Sequence, residues 1–325
     1  MKKILVTGGC GFIGSNFIRF FLRERPRWAV INLDKISYSG SPKNLHDLKN
    51  HPRYEFVRGD ICDKKRVASV MAKASAVVHL AAETHVDRSI DSADEFIRTN
   101  VLGSTVLLEA SLARGIERYI HMSTDEVYGS VPKGKSNELS PLAPNSPYAA
   151  SKAAADLLVR SFQVTHKHPA MIVRCSNNYG PYQFPEKVIP LFVTNLLEDK
   201  SVPLYGDGKN CREWIFVEDA CRAILTVLEK GKPGEIYNVG SGQERSNLQL
   251  TRAILKQMEK KDSMIRRVQD RPGHDFRYAL DFRKIRKLGF KPRWNFERGL
   301  KTTVDWYKVN EGWWRPLKKD RFTVK

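Results

Sequence analysis

Eight residues restrict this chain more than any others. Thr7-Gly8-Gly9-Cys10-Gly11-Phe12-Ile13-Gly14 directly follows Lys3–Thr7, an apolar run that reads as a first strand. Gly8, Gly11 and Gly14 set a GxxGxxG spacing. Small residues there let the backbone turn tightly and approach a pyrophosphate, and they let the next helix pack on the sheet. That helix start adds unpaired amides and a positive dipole end. A second apolar run, Trp28–Leu33, ends in Asp34, twenty residues after Gly14. Strand, glycine turn, helix, strand and acid in this order describe a dinucleotide-binding unit better than an isolated structural turn. Asp34 is expected to accept from an adenosine ribose and to repel a 2′-phosphate, favouring NAD over NADP; neighbouring Lys35 works against that preference. Asp60-Ile61, after a third strand, is placed to meet the adenine, and Asp60 equally suits the cap of a helix starting at Lys64.

The first half alternates short apolar runs with amphipathic ones. Expected strands are Lys3–Thr7, Trp28–Leu33, Tyr54–Val57, Ala76–His79, Arg118–Met122 and Ala170–Val173. Expected helices are Ser15–Glu24, Lys64–Lys73, Ser92–Arg114, with Gly115 as its C-cap, and Pro147–His166. This alternation implies an α/β fold, a Rossmann-type doubly wound parallel sheet. After Arg174 the pattern becomes rich in Pro, Gly, Asn and Tyr, then a helix (Glu218–Lys230) and a strand (Glu235–Val239) return to the sheet. The expected division is therefore discontinuous. Residues 1–174 plus about 213–240 form the NAD-binding domain, and about 175–212 plus 241–325 form a smaller α+β substrate lobe.

Composition excludes several classes. No run of 18 apolar residues exists, so no membrane span is expected, and Met1–Gly8 reads as a strand rather than a signal peptide. The five cysteines, Cys10, Cys62, Cys175, Cys211 and Cys221, lack CxxC spacing, so a reducing cytoplasm is expected, without a disulfide framework or zinc knuckle. No metal site is expected; His166 and His168 flank Lys167 near a helix end and read as surface residues. Net charge is +19, and residues 251–325 carry 22 Lys or Arg against 9 Asp or Glu. There the bases alternate with apolar residues (Arg283-Lys284-Ile285-Arg286-Lys287-Leu288), as on a solvated helix. No nucleic-acid-binding signature accompanies them, so no nucleic-acid partner is expected; the field suits a small anionic substrate. The stretch Arg315–Lys325 is expected to be loosely held.

Chemistry concentrates in two places. The strand-like Tyr119–Met122 delivers Ser123-Thr124-Asp125-Glu126 to the end of the sheet, and Tyr148 and Lys152 stand one helical turn apart. A phenol titrates near ~10 and is a poor base unless a neighbouring ammonium stabilises its anion. Tyr148 beside Lys152 could then take a hydroxyl proton while hydride leaves the same carbon. A Tyr and Lys at this spacing are common on helices; the glycine turn is what gives the pair meaning.

With these motifs the chain closely resembles the extended short-chain dehydrogenases (the NAD-dependent epimerase/dehydratase family) and, within them, the branch of 4,6-dehydratases acting on dTDP-glucose. The resemblance covers nearly the whole length. It rests on His79–Ile90 (HLAAETHVDRSI), Ser123–Gly129 (STDEVYG), Ser176–Lys187 (SNNYGPYQFPEK), Leu204–Gly208 (LYGDG) and Asp270–Asp275 (DRPGHD). It implies that Tyr148 takes the C4 hydroxyl proton while hydride passes to NAD, with Thr124 holding the hydroxyl. Glu126 would then remove the acidified C5 proton, Asp125 would protonate the leaving C6 hydroxyl, and hydride would return to C6. It implies cofactor contacts at Gly8, Gly11, Phe12, Ile13, Gly14, Asp34, Lys35, Ser37, Asp60, Ile61, Leu80, Ala81, Ala82, Thr99, Tyr148, Lys152 and Asn178. For the nucleotide sugar it implies Thr84, Thr124, Asn177, Lys187, Val188, Pro203, Tyr205, Arg212, Asn247, Arg271 and His274, the two arginines suiting a pyrophosphate or, more blandly, a surface salt bridge. A homodimer is implied, through a four-helix bundle of the helices near Ser92–Arg114 and Pro147–His166. Departures are Thr84 for the usual Ser, Glu213 for Asp and Ala220 for His.

Three alternatives stay open at this point. One is the same chemistry on UDP-glucose, since one methyl is worth only about 1–3 kcal/mol. Another is an epimerase or decarboxylase, which needs no acid at Asp125. The last is a non-catalytic NAD sensor, which would be expected to lack Tyr148, Lys152 or the carboxylates.

Overall fold

The first apolar run forms strand β1 (Lys2–Thr7) in the computed structural model, which describes residues 1–318. Ile4, Leu5 and Val6 are all fully buried, so both faces of the strand are covered. Each such side chain contributes roughly 1.5–3 kcal/mol by burial. The chain continues through α1 (Phe12–Glu24), β2 (Trp28–Asp34), β3 (Tyr54–Arg58), α2 (Lys64–Met71) and β4 (Ala76–His79). Next come α3 (Val86–Asp91), α4 (Asp94–Phe96), α5 (Gly103–Arg114), β5 (Tyr119–Thr124), α6 (Pro147–His166) and β6 (Ala170–Cys175). They are followed by β7 (Asn177–Tyr179), α7 (Val188–Leu197), β8 (Val202–Tyr205), β9 (Cys211–Phe216), α8 (Val217–Lys230) and β10 (Ile236–Val239).

Seven strands form one parallel sheet in the order β10-β6-β5-β4-β1-β2-β3. This is the doubly wound α/β sheet that the alternating pattern predicts. Residues of β1 alternate between two cores, Ile4 and Val6 joining Phe17, Ile120 and Ile224 on one side. Leu5 joins Ile31, Val77, Leu107 and Ile172 on the other. Chain direction around the sheet reverses between β1 and β4, and the crevice beyond their carboxyl ends is where such sheets take ligands.

The remainder comprises β11 (Glu244–Ser246), α9 (Asn247–Gln257), β12 (Ile265–Val268), α10 (Arg283–Arg286), α11 (Phe296–Val309) and α12 (Glu311–Lys318). A three-stranded sheet, β11-β9-β7, and the ribbon β12-β8 pack with these helices around a third core that includes Tyr179, Phe192, Trp214, Leu250, Phe296 and Trp314. Among the described residues no helix is long and apolar enough to cross a membrane.

Several local expectations are corrected. Ser92–Arg114 is not a regular helix throughout: Ser92 is extended (φ −154°, ψ 128°), and the helical backbone that starts at Asp94 passes through a π-helical turn at Ile97–Leu102 before α5. The turn carries Asn100 inward, where its amide donates to the Glu83 carbonyl and the Ser151 hydroxyl. Gly115 does cap α5, in the left-handed conformation (φ 69°). His168 is buried rather than on the surface, bonded through Nε2 to the Ser111 hydroxyl (2.7 Å), and burial pushes its pKa down to about 4. The solvated basic helix shrinks to the single turn α10, with Ile285 buried. Arg315–Lys318 are part of α12, where Trp314 is fully buried and Lys318 pairs with Glu198 (2.8 Å). Residues 319–325 lie outside the described residues.

Candidate active site

The glycine turn is shaped by close backbone approach. Gly8 is left-handed (φ 70°), and a Cβ there would lie 2.6 Å from the Ala81 Cα; one on Gly14 would lie 2.2 Å from the Gly8 carbonyl oxygen. Gly11 caps α1 with no side-chain bond, so the first amides of the helix face outward from the turn. In front of it opens a cleft. Of the expected cofactor residues, Gly8, Gly11, Phe12, Ile13, Gly14, Asp34, Lys35, Ser37, Ile61, Leu80, Ala81, Ala82 and Thr99 line it, together with Thr84 and Lys187 from the substrate set.

Asp34 is buried at the end of β2, its Oδ2 accepting from the Cys10 amide (2.8 Å) and its Oδ1 from the Ile36 amide (2.7 Å). Burial raises its pKa, opposed by those two amides and by Lys35. Lys35 itself turns to Glu83 (3.2 Å) and to the Thr99 hydroxyl (3.1 Å), so its charge is paired within the protein. Glycine cradle, uncapped helix start and buried acid fit an NAD. Asp60 stands off the cleft wall, accepting from the Cys62 amide (2.9 Å), and the cap of α2 is Asp63.

The acid-base quartet begins inside β5, where Ser123 and Thr124 pair with Arg174 and Cys175 of β6, and continues into a tight turn at Asp125–Tyr128. The Thr124 hydroxyl donates to Asp125 Oδ1 (3.2 Å) and accepts from the Glu126 amide (3.3 Å). Asp125 is 3% exposed, and its Oδ2 has no hydrogen-bond partner among the described residues. Burial, then the charges of Glu126 and Glu213, hold its pKa well above the usual carboxylate range. Glu126 is only partly exposed, and burial raises its pKa too, but Arg271, Arg212 and Lys187 pull it back. Two adjacent carboxyls thus sit in unlike fields. Burial favours the neutral form of Asp125, while Glu126 faces cations that act toward its anion.

Tyr148 and Lys152 lie on α6, whose start is fixed by the Ser146 cap and by the Ser89 hydroxyl accepting from the Tyr148 amide (3.1 Å). Burial and the Glu126 charge raise the phenol's pKa, opposed by a hydrogen bond with Thr124. The ammonium of Lys152 donates to the Met122 carbonyl of β5 (2.6 Å), and burial pushes its pKa down to about 8 against the opposing pull of Asp156. Asp156 in turn pairs with buried Arg174 (2.8 Å).

The expected substrate residues gather from both sides of the cleft. Lys187 donates to the Thr84 carbonyl (2.8 Å), Val188 opens α7, and Asn177 Oδ1 is buried without a partner among the described residues. Pro203 and Tyr205 lie on β8, and Tyr205 meets the ring of His274 edge-on at 6.3 Å. His274 is bonded to Asp270 (2.7 Å), and Arg271 reaches Asp87 (3.2 Å). Arg212 makes no surface salt bridge among the described residues. Its guanidinium donates to the carbonyls of Cys211 (2.8 Å) and Asp275 (2.9 Å) and stacks 4.3 Å over Tyr278. Asn247 starts α9 with its amide on the Asn210 carbonyl, and Asn178 donates to the Ser176 carbonyl below the cleft.

Sequence reasoning missed a second layer. Tyr38 donates to Glu186 (2.8 Å) under the Arg88 guanidinium, 3.7 Å from the ring, and Glu83, Gln183, Phe184 and Glu186 line the cleft. Glu186 lies inside the quoted SNNYGPYQFPEK run, which was the available signal. Tyr278, near enough to Glu126 for that charge to raise its pKa, lies three residues past Asp275 and gave none. Glu213 accepts from the amides of Ser241 and Gly242 (both 2.7 Å), and Ala220 is buried in the core.

Comparison with known proteins gives a consistent set. The model of the GDP-mannose 4,6 dehydratase family matches residues 5–303. The dTDP-glucose 4,6-dehydratase of Streptomyces niveus is 54% identical over 97% of this chain and 96% of its own. A crystal structure of a dTDP-glucose 4,6-dehydratase from Streptomyces venezuelae, with NAD and TYD bound, superposes with a TM-score of 0.95 at 51% identity, covering 97% of this chain and 100% of that one. One from Bacillus anthracis in complex with NAD gives 0.92 at 44% identity, over 98% of this chain and 100% of its own.

Proposed function

The chain belongs to the GDP-mannose 4,6 dehydratase family, and on that premise we propose that it is an NAD-dependent dTDP-glucose 4,6-dehydratase, a hydro-lyase forming dTDP-4-keto-6-deoxyglucose. The observation that carries this reading is Asp125, a buried carboxyl with an unpartnered oxygen, set beside Glu126. An epimerase has no use for that acid.

Bound NAD would supply a hydride acceptor for C4 of the sugar and a hydride donor for C6. Tyr148 takes the C4 hydroxyl proton, its anion favoured by the charge of Lys152, while Thr124 holds the hydroxyl. Oxidation acidifies C5, and Glu126 removes that proton. Asp125 gives its proton to the C6 hydroxyl, which leaves as water, and Glu126 returns a proton to C5 when C6 takes its hydride. The supports are the unlike fields of the two carboxyls and the cations around Glu126. In this reading residues 1–174 plus about 213–240 hold NAD, and about 175–212 plus 241–325 hold the nucleotide sugar, with Arg212, Arg271 and Lys187 lending positive charge to a pyrophosphate.

Substrate carrying deuterium at C4 is expected to give product with that deuterium at C6. Mass spectrometry of the product would reveal label washed out to water, which would sink the internal transfer.

The assembly proposed is a homodimer in the cytoplasm. Ile97, Leu102, Leu157 and Val164 are about half exposed on the helices that would meet (50, 49, 57 and 55%), and the five cysteines are free. Light scattering at micromolar concentration is expected to return twice the chain mass of 37.2 kDa; a monomer mass overturns the dimer.

A further inference from the structure

The far end of the chain reaches back onto the cofactor cleft. From α12, the Trp313 indole N–H donates to Asn44 Oδ1 (2.8 Å), 269 positions away in sequence. Buried Asn44 passes the link on, its Nδ2 donating to the Cys10 carbonyl (2.8 Å), which also accepts from the Ser41 amide (3.0 Å). Cys10 sits within the glycine turn, and its amide holds Asp34 (2.8 Å). An unbroken line of hydrogen bonds therefore runs from the indole to the turn that would cradle a pyrophosphate.

The same indole touches the opposite wall. Tyr182, strained at φ 67°, packs against Trp313 (5.9 Å between centroids) and Trp306 (4.7 Å), with the Arg19 guanidinium 4.4 Å over its ring. A non-glycine residue keeps such a backbone only where its surroundings hold it. Tyr182 leads directly into Gln183 and Phe184, both lining the cleft, and the Tyr307 hydroxyl donates to the Gln183 carbonyl. One side chain outside the acid-base quartet is thus common to both walls.

We propose that Trp313 is a positioning residue for cofactor retention, joining the glycine turn, through Asn44, to the wall that Tyr182 carries. A dehydratase of this type needs its cofactor kept between removal of hydride at C4 and its return at C6, so loss in that interval ends the turnover. The proposal rests on the reading of the cleft as an NAD site. Removing one donor of this line lowers the barrier to opening by roughly one hydrogen bond, about a tenfold change in rate.

The test loads the purified full chain with adenine-labelled NAD, chases it with excess unlabelled NAD, and follows label loss alongside thermal melting. Trp313→Phe keeps an aromatic ring and removes the N–H; Asn44→Asp keeps the acceptor for Trp313 and removes the donor to Cys10. Both are expected to release label about tenfold faster, and the double variant no faster than either alone, because they break one line. Wild-type exchange in both variants would overturn the proposal. So would faster exchange that tracks a lowered melting temperature and vanishes when each protein is assayed equally far below its own melt. Wild-type protein that holds no labelled NAD would instead overturn the cofactor reading, and this proposal with it.

Discussion

Asp125→Asn combined with Glu126→Gln is expected to stop the reaction halfway. The proposed mechanism assigns oxidation at C4 to Tyr148 and Lys152, so mixing with dTDP-glucose should still produce the absorbance of reduced nicotinamide. Elimination of water should fall by about 10³-fold or more, since each acid-base group typically contributes 10²–10⁴. Asn cannot protonate the C6 hydroxyl, and Gln cannot take the C5 proton. Both substitutions keep size: Asp125→Asn replaces a buried carboxyl whose Oδ2 has no partner among the described residues and which burial already favours as the neutral form, and Glu126→Gln removes a charge from a partly buried position, so the fold should tolerate them. Stopped-flow absorbance together with chromatography of the 4-keto product separates the two half-reactions. Full turnover by the double variant would strip both residues of their assigned roles.

Lys152→Met is expected to act one step earlier, lowering the rate of C4 oxidation about 10³-fold. It should also erase a feature of the pH profile. The wild-type ammonium is depressed to about 8, so it is charged below that pH and loses its charge above it. The facing groups do not replace it. His79 and His121 are held neutral by burial, and Arg174 is committed to Asp156. Wild-type oxidation should therefore decline as pH rises through about 8, and the Met variant should show no such limb. Met has similar length and needs no solvation, so melting temperature should hold or rise. A Met variant retaining the alkaline limb would assign that titration to another group.

The parallel sheet, the glycine turn and the quartet were legible because each is local. A strand's apolar run, a turn's glycines and a helix's four-residue spacing need no knowledge of the rest of the chain. What stayed hidden depends on contacts between distant segments. Tyr38 and Glu186 are 148 positions apart and meet only when two loops fold over the same cleft. His168 reads as polar and near a helix end, yet Ser111 supplies a buried partner that sequence position cannot reveal. Asp60 reads as a cap for the helix starting at Lys64, yet the backbone gives that place to Asp63. Arg212 reads as a pyrophosphate clamp, while the fold gives its guanidinium three carbonyls and a tyrosine face to hold it in place.

The π turn at Ile97–Leu102 has a geometric consequence of its own. A regular helix advances about 100° per residue, so the face that packs on the sheet dictates where every other side chain points. The wider turn resets that phase. Thr99 and Asn100 aim toward the cleft and toward Ser151, while Leu107 and Leu108 further along still bury against the sheet. One helical segment therefore serves two faces that a uniform spiral would keep in fixed rotation, and substitutions on the cofactor side need not disturb the packing side.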